Sequence, residues 1–409
     1  MKANGIGGAA PAAWLAIAGL TVVVAVPFVA VVLQGIFPDL GQGSFSGPFS
    51  SFLSTLGDSA LIGMAGNTIL LGGCVVLASA FVAVPLGVFR ALYRIPFAPV
   101  WDVLLLVPFM IPPYIATLGW IMTLQPRGYL QQVAGFNLAP FLFSLFGMTL
   151  VMAFNTFPVV YFAVSRTVEA VGARYADVGR VFGATPARAF WRITLPLSAP
   201  GLAASLMLVF AAAIEEYGTP AALGRRAGFQ VLVTGIDLRI TDWPIDLPGA
   251  AILSILLVAM SLVTFLAQRW ILSRRSYQTV GGKPTDKDKR PLGALKMPVM
   301  IAFAVVSFLA TGVPLLAILA TALSRTISGG LALDNISLAN FIAVFSNSAG
   351  ALSALVNSFS LGIGTALITG LIGVMAAYTV VKTKIRGRMT IDVMTILPNA
   401  LPGIVVAVG

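Results

Sequence analysis

Long apolar runs, broken by short polar segments, set the pattern of this chain from end to end. A helix needs about 20 apolar residues to cross a bilayer. Runs of that kind fall near 13–35, 59–89, 100–124, 139–165, 197–214, 248–268, 297–324, 351–381 and 391–409. The pattern therefore predicts nine spanning helices. The run from 59 to 89 exceeds one bilayer thickness, so it tilts, protrudes or kinks at Pro85. The first run is about twice the length of a signal-peptide apolar core, which predicts an uncleaved first span.

The basic residues alternate with the spans. Lys2 precedes the first span; Arg90 and Arg94 follow the second; Arg166, Arg174, Arg180, Arg188 and Arg192 follow the fourth. A run from Arg269 to Lys296 follows the sixth, and Lys382, Lys384, Arg386 and Arg388 follow the eighth. These alternate loops hold 20 of the 25 Lys and Arg residues, which places the N-terminus in the cytoplasm by the positive-inside rule. The net charge of +11 is thus topological and carries no nucleic-acid footprint.

Composition narrows the chemistry. The chain of 409 residues is 58% hydrophobic and 10% charged, against about a quarter charged for a soluble domain. It has no histidine and one cysteine, Cys74. That excludes an intrachain disulfide, a Cys/His zinc site and imidazole catalysis. No G-x-x-x-x-G-K-[ST] loop is present, so the common phosphate cradle of an ATPase is missing. Neither a catalytic group nor a metal site is expected in the chain.

Residues 67–119 align without a gap on 357–409. Asn67 matches Asn357, Gly72 matches Gly362, Asp102 matches Asp392, Pro108 matches Pro398, Pro112 matches Pro402 and Gly119 matches Gly409. Val26-Pro27 pairs with Val313-Pro314 at a slightly different offset. Such punctuation inside apolar spans does not arise from apolar composition alone. The repeat unit holds an even number of spans, so both copies insert in the same direction. The fold class is all-α polytopic: a six-span domain (1–274), a flexible cytoplasmic connector (275–296), then three spans of a second, parallel copy (297–409). The second copy is shorter than the first, which predicts a C-terminal truncation. Asp102 and Asp392 are expected to pair structurally with Arg94 and Arg388.

The segment 166–197, between the fourth and fifth spans, is the most patterned polar stretch. Val168, Val171, Tyr175, Val178 and Phe182 make one stripe of a short helix. Gly183 suits a left-handed helix end, Thr185 an N-cap and Pro186 a first helical position. A second helix through Phe190 to Ile193 is expected to stop before Pro196. The stripe calls either for a protein partner or for the lipid interface.

This segment resembles the coupling loop of bacterial ABC importer permeases, whose motif reads E-A-A, three residues, G, nine residues, then I-x-L-P. Here Gly183 is followed by nine residues and Ile193-Thr194-Leu195-Pro196, while the E-A-A positions hold Asp177-Val178-Gly179. Asn67-Thr68 and Pro108 to Pro112 look like the permease core, and Glu215 to Gly224 is similar to the outer segment of ferric-iron-type permeases, which are commonly fused two-domain chains. The resemblance implies ATPase contacts at Asp177, Gly179, Gly183, Ala184, Ile193, Leu195 and Pro196. It implies a separate ATPase pair that binds the ATP, a solute-binding protein, and a multi-pass subunit in the bacterial inner membrane with no cofactor of its own. Asn67, Pro112, Glu215, Glu216 and Tyr217 are candidates for the substrate path or outer gate; the plainer reading of Glu215 and Glu216 is a solvated loop at a span end. Ferric iron is the first expectation for cargo, with thiamine, phosphonate, polyamine and sulfate open. A secondary transporter with two parallel six-span halves is the competing class, although its usual intramembrane charges are scarce here.

Overall fold

A computed structural model describes residues 6–181, 183–274, 289–346 and 350–383, and beyond them 391, 394, 395, 398 and 402–408. The protein is a helical membrane protein. Among the described residues seven helices are long and apolar enough to span: Ala13–Ile36, Ser59–Leu92, Leu145–Val171, Phe190–Glu215, Leu247–Ser273, Gly293–Ala322 and Ala351–Lys382. An eighth candidate is a broken pair, Ala98–Met110 and Pro113–Ala134, bent by 95°. The straight span expected at 100–124 is therefore two helices. Of the ninth expected span, 391–409, eleven residues are described, among them the helix Gly403–Val408.

Helices pack here in two compact units. One comprises Met1–Gly63, Gly235–Leu262 and Ile336–Gly409; the other comprises Met64–Thr234 and Val263–Asn335. In the first, Ile6–Leu20 lies against Ala351–Lys382, and Val26–Ile36 lies against Gly403–Val408. In the second, Val313–Ala322 lies against Pro113–Leu124, and Lys296–Ser307 lies against Ala98–Met110. Within each unit, then, a helix from the N-terminal part of the chain packs on one from its C-terminal part.

Proline shapes three of the spans in the same way. A five-residue π-turn covers Thr21–Ala25, Phe190–Thr194 and Phe308–Gly312. Each is followed by one residue and then Pro27, Pro196 or Pro314. The residue before the proline donates five positions back: Val26 to Thr21, Leu195 to Phe190, and Val313 to Phe308. A proline ring collides with the carbonyl four residues earlier, and one widened turn moves that carbonyl aside. The helix expected to stop before Pro196 thus continues as Leu195–Glu215. The matched Val26-Pro27 and Val313-Pro314 pairs share this device.

The larger unit centres on Leu145–Val171, the most enclosed of the spans. Phe157 and Tyr161 are fully buried on it, with Leu105, Met148 and Phe303. Trp120 stacks on Phe154, ring centres 6.0 Å apart and planes 7° from parallel. Phe303 meets Trp101 and Tyr161 edge-on at 6.0 and 6.3 Å. Lipid tails are as apolar as these side chains, so close packing and hydrogen bonds must hold the helices together.

Candidate functional site

The break after Met110 follows from the residues Pro108, Pro112 and Pro113. Pro112 and Pro113 have no N–H, so the carbonyls four residues before them lose their helical donors. An unmet carbonyl at membrane depth is costly, and irregular backbone persists there only where protein supplies a partner. Asn155, on the buried Leu145–Val181 helix, is that partner. Its Nδ2 donates to Pro108 O at 2.7 Å and to Ile111 O at 3.1 Å. The new helix starts at Pro113, with Pro112 as its cap residue.

The loop after Leu195–Glu215 folds onto the first turn of that new helix. Glu216 accepts the Thr219 N–H on both carboxylate oxygens, at 2.9 and 3.1 Å. Thr219 Oγ1 meets Thr117 Oγ1 at 2.9 Å, and Thr117 donates to Pro113 O at 2.8 Å. Gly218 lies so close to Tyr114 that a Cβ on it would sit 2.9 Å from the Tyr114 Cβ. Burial raises the Glu216 pKa above the usual glutamate range, opposed by the Thr219 hydrogen bonds. Glu216 is therefore a half-buried carboxylate held by hydrogen bonds to its own loop.

The structure thus brings Pro112 and Glu216 together around one helix start, with Tyr217 exposed beside them. Glu215 is the last residue of its helix. Asn67 serves a different junction: its Nδ2 donates to Gln230 O at 2.9 Å, while the neighbouring Thr68 accepts the Leu232 N–H at 2.9 Å. Asn155, Thr117 and Thr219 were not singled out from sequence. Asn155-Thr156 is a polar pair inside an apolar span, and that was the available signal.

In the 166–197 segment the first short helix is not separate. It is the end of one continuous helix, Leu145–Val181. Val168 and Val171 are buried, which is why they read as a stripe. Asp177 and Gly179 lie in this helix, and their side chains are outside the described residues, as is Phe182 altogether. Gly183 has φ +84°, the left-handed conformation that ends a helix. Thr185 Oγ1 accepts the Arg188 N–H at 3.3 Å, and Pro186 opens the helix Pro186–Ala189. Ala184, Ile193 and Leu195 are half-buried, while Gly183 and Pro196 are exposed. Trp191, 65% exposed, stands next to them.

At the base of the same helices lies an ion network. Arg90 grips Asp102 with Nε at 3.0 and 3.1 Å and Nη2 at 2.8 Å, and the Tyr161 hydroxyl donates to Asp102 at 2.7 Å. The partner of Asp102 is thus Arg90 and not Arg94. Arg90 is still within the Ser59–Leu92 helix, whereas Arg94 sits beyond its end. Asp392 and Arg388 lie outside the described residues. Among the described residues no group of three His, Cys, Asp or Glu is arranged to hold a metal ion.

Residues 83–277 match the family of binding-protein-dependent transport system inner membrane components. That match covers just under half of the chain. The chain is 26% identical over 366 residues to the ferric transport system permease protein FbpB of Actinobacillus pleuropneumoniae, covering 87% of this chain and 52% of that protein. It is 28% identical over 216 residues to the sulfate transport system permease protein CysT of Escherichia coli, covering 51% of this chain and 78% of that protein. With the molybdenum transport system permease protein ModB of Escherichia coli it shares 27% over 205 residues, 49% of this chain and 89% of that one. The chain spans about half the length of the ferric transport permeases it matches.

Proposed function

We propose that this permease is the membrane subunit of an ATP-driven importer whose cargo is ferric iron. In this reading residues 1–274 form a six-span permease domain, 275–296 a cytoplasmic connector, and 297–409 the first part of a parallel second domain. The N-terminus is cytoplasmic. A separate ATPase pair binds ATP and docks on the segment from Asp177 and Gly179 through Gly183 and Ala184 to Ile193, Leu195 and Pro196. A solute-binding protein delivers cargo on the outer side, where Asn67, Pro112, Glu215, Glu216 and Tyr217 border the path. The chain itself binds no cofactor.

One observation carries the iron reading. Similarity to the ferric permease runs along 87% of this chain, whereas similarity to the sulfate and molybdenum permeases covers about half. Ionic cargo in this reading is recognised by the binding protein, since the permease offers no histidine and a single cysteine. The docking reading is supported by the left-handed Gly183 and its exposed surroundings, which form a rigid corner at the end of a long helix. Oxyanion import is the second reading, favoured by the sulfate and molybdenum relatives.

The test is uptake of radiolabelled ferric iron by iron-starved cells with and without the gene. Uptake that needs the gene and ceases on ATP depletion is the expected result. Unchanged iron uptake removes iron, and gene-dependent uptake of sulfate or molybdate in the same assay would establish the second reading.

A further inference from the structure

Four residues of the proposed connector, 289–292, are built into the larger unit. Lys289 is buried, with its side chain 8% exposed, and its Nζ lies 3.1 Å from Glu169 Oε1. Arg290 and Pro291 pair in parallel register with Tyr93 and Arg94. Leu292 is buried in the same apolar cluster as Ile95, Tyr161 and Val168. An ion pair, a backbone ladder and an apolar anchor thus follow one another along consecutive residues. A passive tether has no cause to bury an ammonium group, which is unfavourable unless paired.

Glu169 has a second cation, Arg166, but at 3.9 Å and with a side chain 78% exposed. Lys289 therefore supplies the close, shielded contact. Glu169 sits on the continuous Leu145–Val181 helix that leads into Gly183. At 1.5 Å per residue the helix carries a fixed point at Glu169 about 18 Å to its end. We infer that residues 289–292 are a strap, and that Lys289 is a positioning residue holding the root of the helix that presents the ATPase-docking corner. This rests on the importer reading given above.

The experiment uses the permease assembled with its ATPase subunits and binding protein, carrying Lys289→Gln, Lys289→Glu, Glu169→Lys or the reversed pair Lys289→Glu/Glu169→Lys. The readouts are cargo moved per ATP hydrolysed and ATPase retained on the permease. Each single change is expected to lower cargo moved per ATP about tenfold with ATPase retained, and the reversed pair to recover most of it, as coupled partners do. Single variants that behave as wild type, or a reversed pair no better than its parents, would overturn the positioning role.

A second measurement is independent of cargo. In a Cys74→Ala background, Tyr93→Cys/Arg290→Cys places two thiols on paired strands. Those strands lie about 4.8 Å apart, within the range of about 4.4–6.8 Å that a disulfide bridges. Mild oxidation of membranes is expected to join them, and Lys289→Glu to slow the joining. Failure to crosslink would overturn the strap itself. Crosslinking of the Cys pair with Lys289 intact, in a chain that recruits no ATPase, would instead overturn the importer reading, and the positioning role with it.

Discussion

Gly119→Ala tests whether the Val313–Ala322 helix is held by close backbone approach. Gly119 lies on Pro113–Leu124 and faces Pro314, at the start of Val313–Ala322. A Cβ on Gly119 would sit 2.5 Å from Pro314 O, 2.6 Å from its Cα and 2.7 Å from its Cβ. Ordinary contact begins near 3.4 Å, so the two helices must part by nearly 1 Å. None of these atoms is the tip of a flexible side chain that could turn away. Overpacking of this kind costs about 1–3 kcal/mol, and parting the helices also forfeits dispersion contacts. Alanine regains up to about 1 kcal/mol of helix propensity, so a net loss of about 1–2 kcal/mol is expected. Gly66→Ala is the control, because nothing lies within 4 Å of a Cβ there. It keeps only the propensity gain of about 0.5–1 kcal/mol. Reversible unfolding of the purified permease in mixed detergent and SDS should give the two variants opposite signs. A Gly119→Ala protein as stable as the Gly66→Ala protein would refute the close-approach argument.

Three further outcomes follow from other parts of the structure. At Gly183 no atom lies within 4 Å of an added Cβ, so substitution strains only the left-handed backbone. Asn, which tolerates that region, should retain ATPase co-purification better than Ala, and Val should be worst, with about 1–2 kcal/mol separating the extremes; an equal loss in all three would show that the conformation is not what matters. Asp102→Ala strands Arg90 and the Tyr161 hydroxyl and should cost about 2–3 kcal/mol in the same unfolding assay, while Tyr161→Phe, which leaves the Arg90 pair, should cost about 1 kcal/mol; the reverse order would contradict the network. Glu216 has a raised folded-state pKa, so its contribution is fully present below the unfolded carboxylate pKa and is lost as pH rises through the folded value. Glu216→Gln should flatten that decline in a melting-temperature series from pH 4 upward, and an unchanged pH slope would show that Glu216 does not cause it.

How much was legible beforehand varies by residue. Gly183 and Thr185 adopt the conformations their local chemistry suggested, because a helix end is decided by a few neighbouring residues. The pairing of Asp102 was misjudged because Arg90 and Arg94 are both near it in sequence. Only the point where the Ser59–Leu92 helix ends puts Arg90 on the side of Asp102. The helix expected to stop at Pro196 ran on because a π-turn relieved the ring, and no local rule distinguishes a relieved proline from a breaking one.

By itself the sequence determined the apolar spans, the alternation of basic loops and the glycine corner. Each of these is written in a periodicity or a short spacing. The 95° break, the Asn155 bonds that satisfy it, the Glu216 bonds to Thr219 and the burial of Lys289 against Glu169 were decided only by tertiary structure. The reason is physical. In a bilayer apolar side chains are equally at home against lipid or protein, so hydropathy marks where a helix spans but not what it touches. Contacts between helices are selected by small residues that admit a neighbour and by polar groups that must find a partner. Those partners lie far along the chain, where spacing carries no signal.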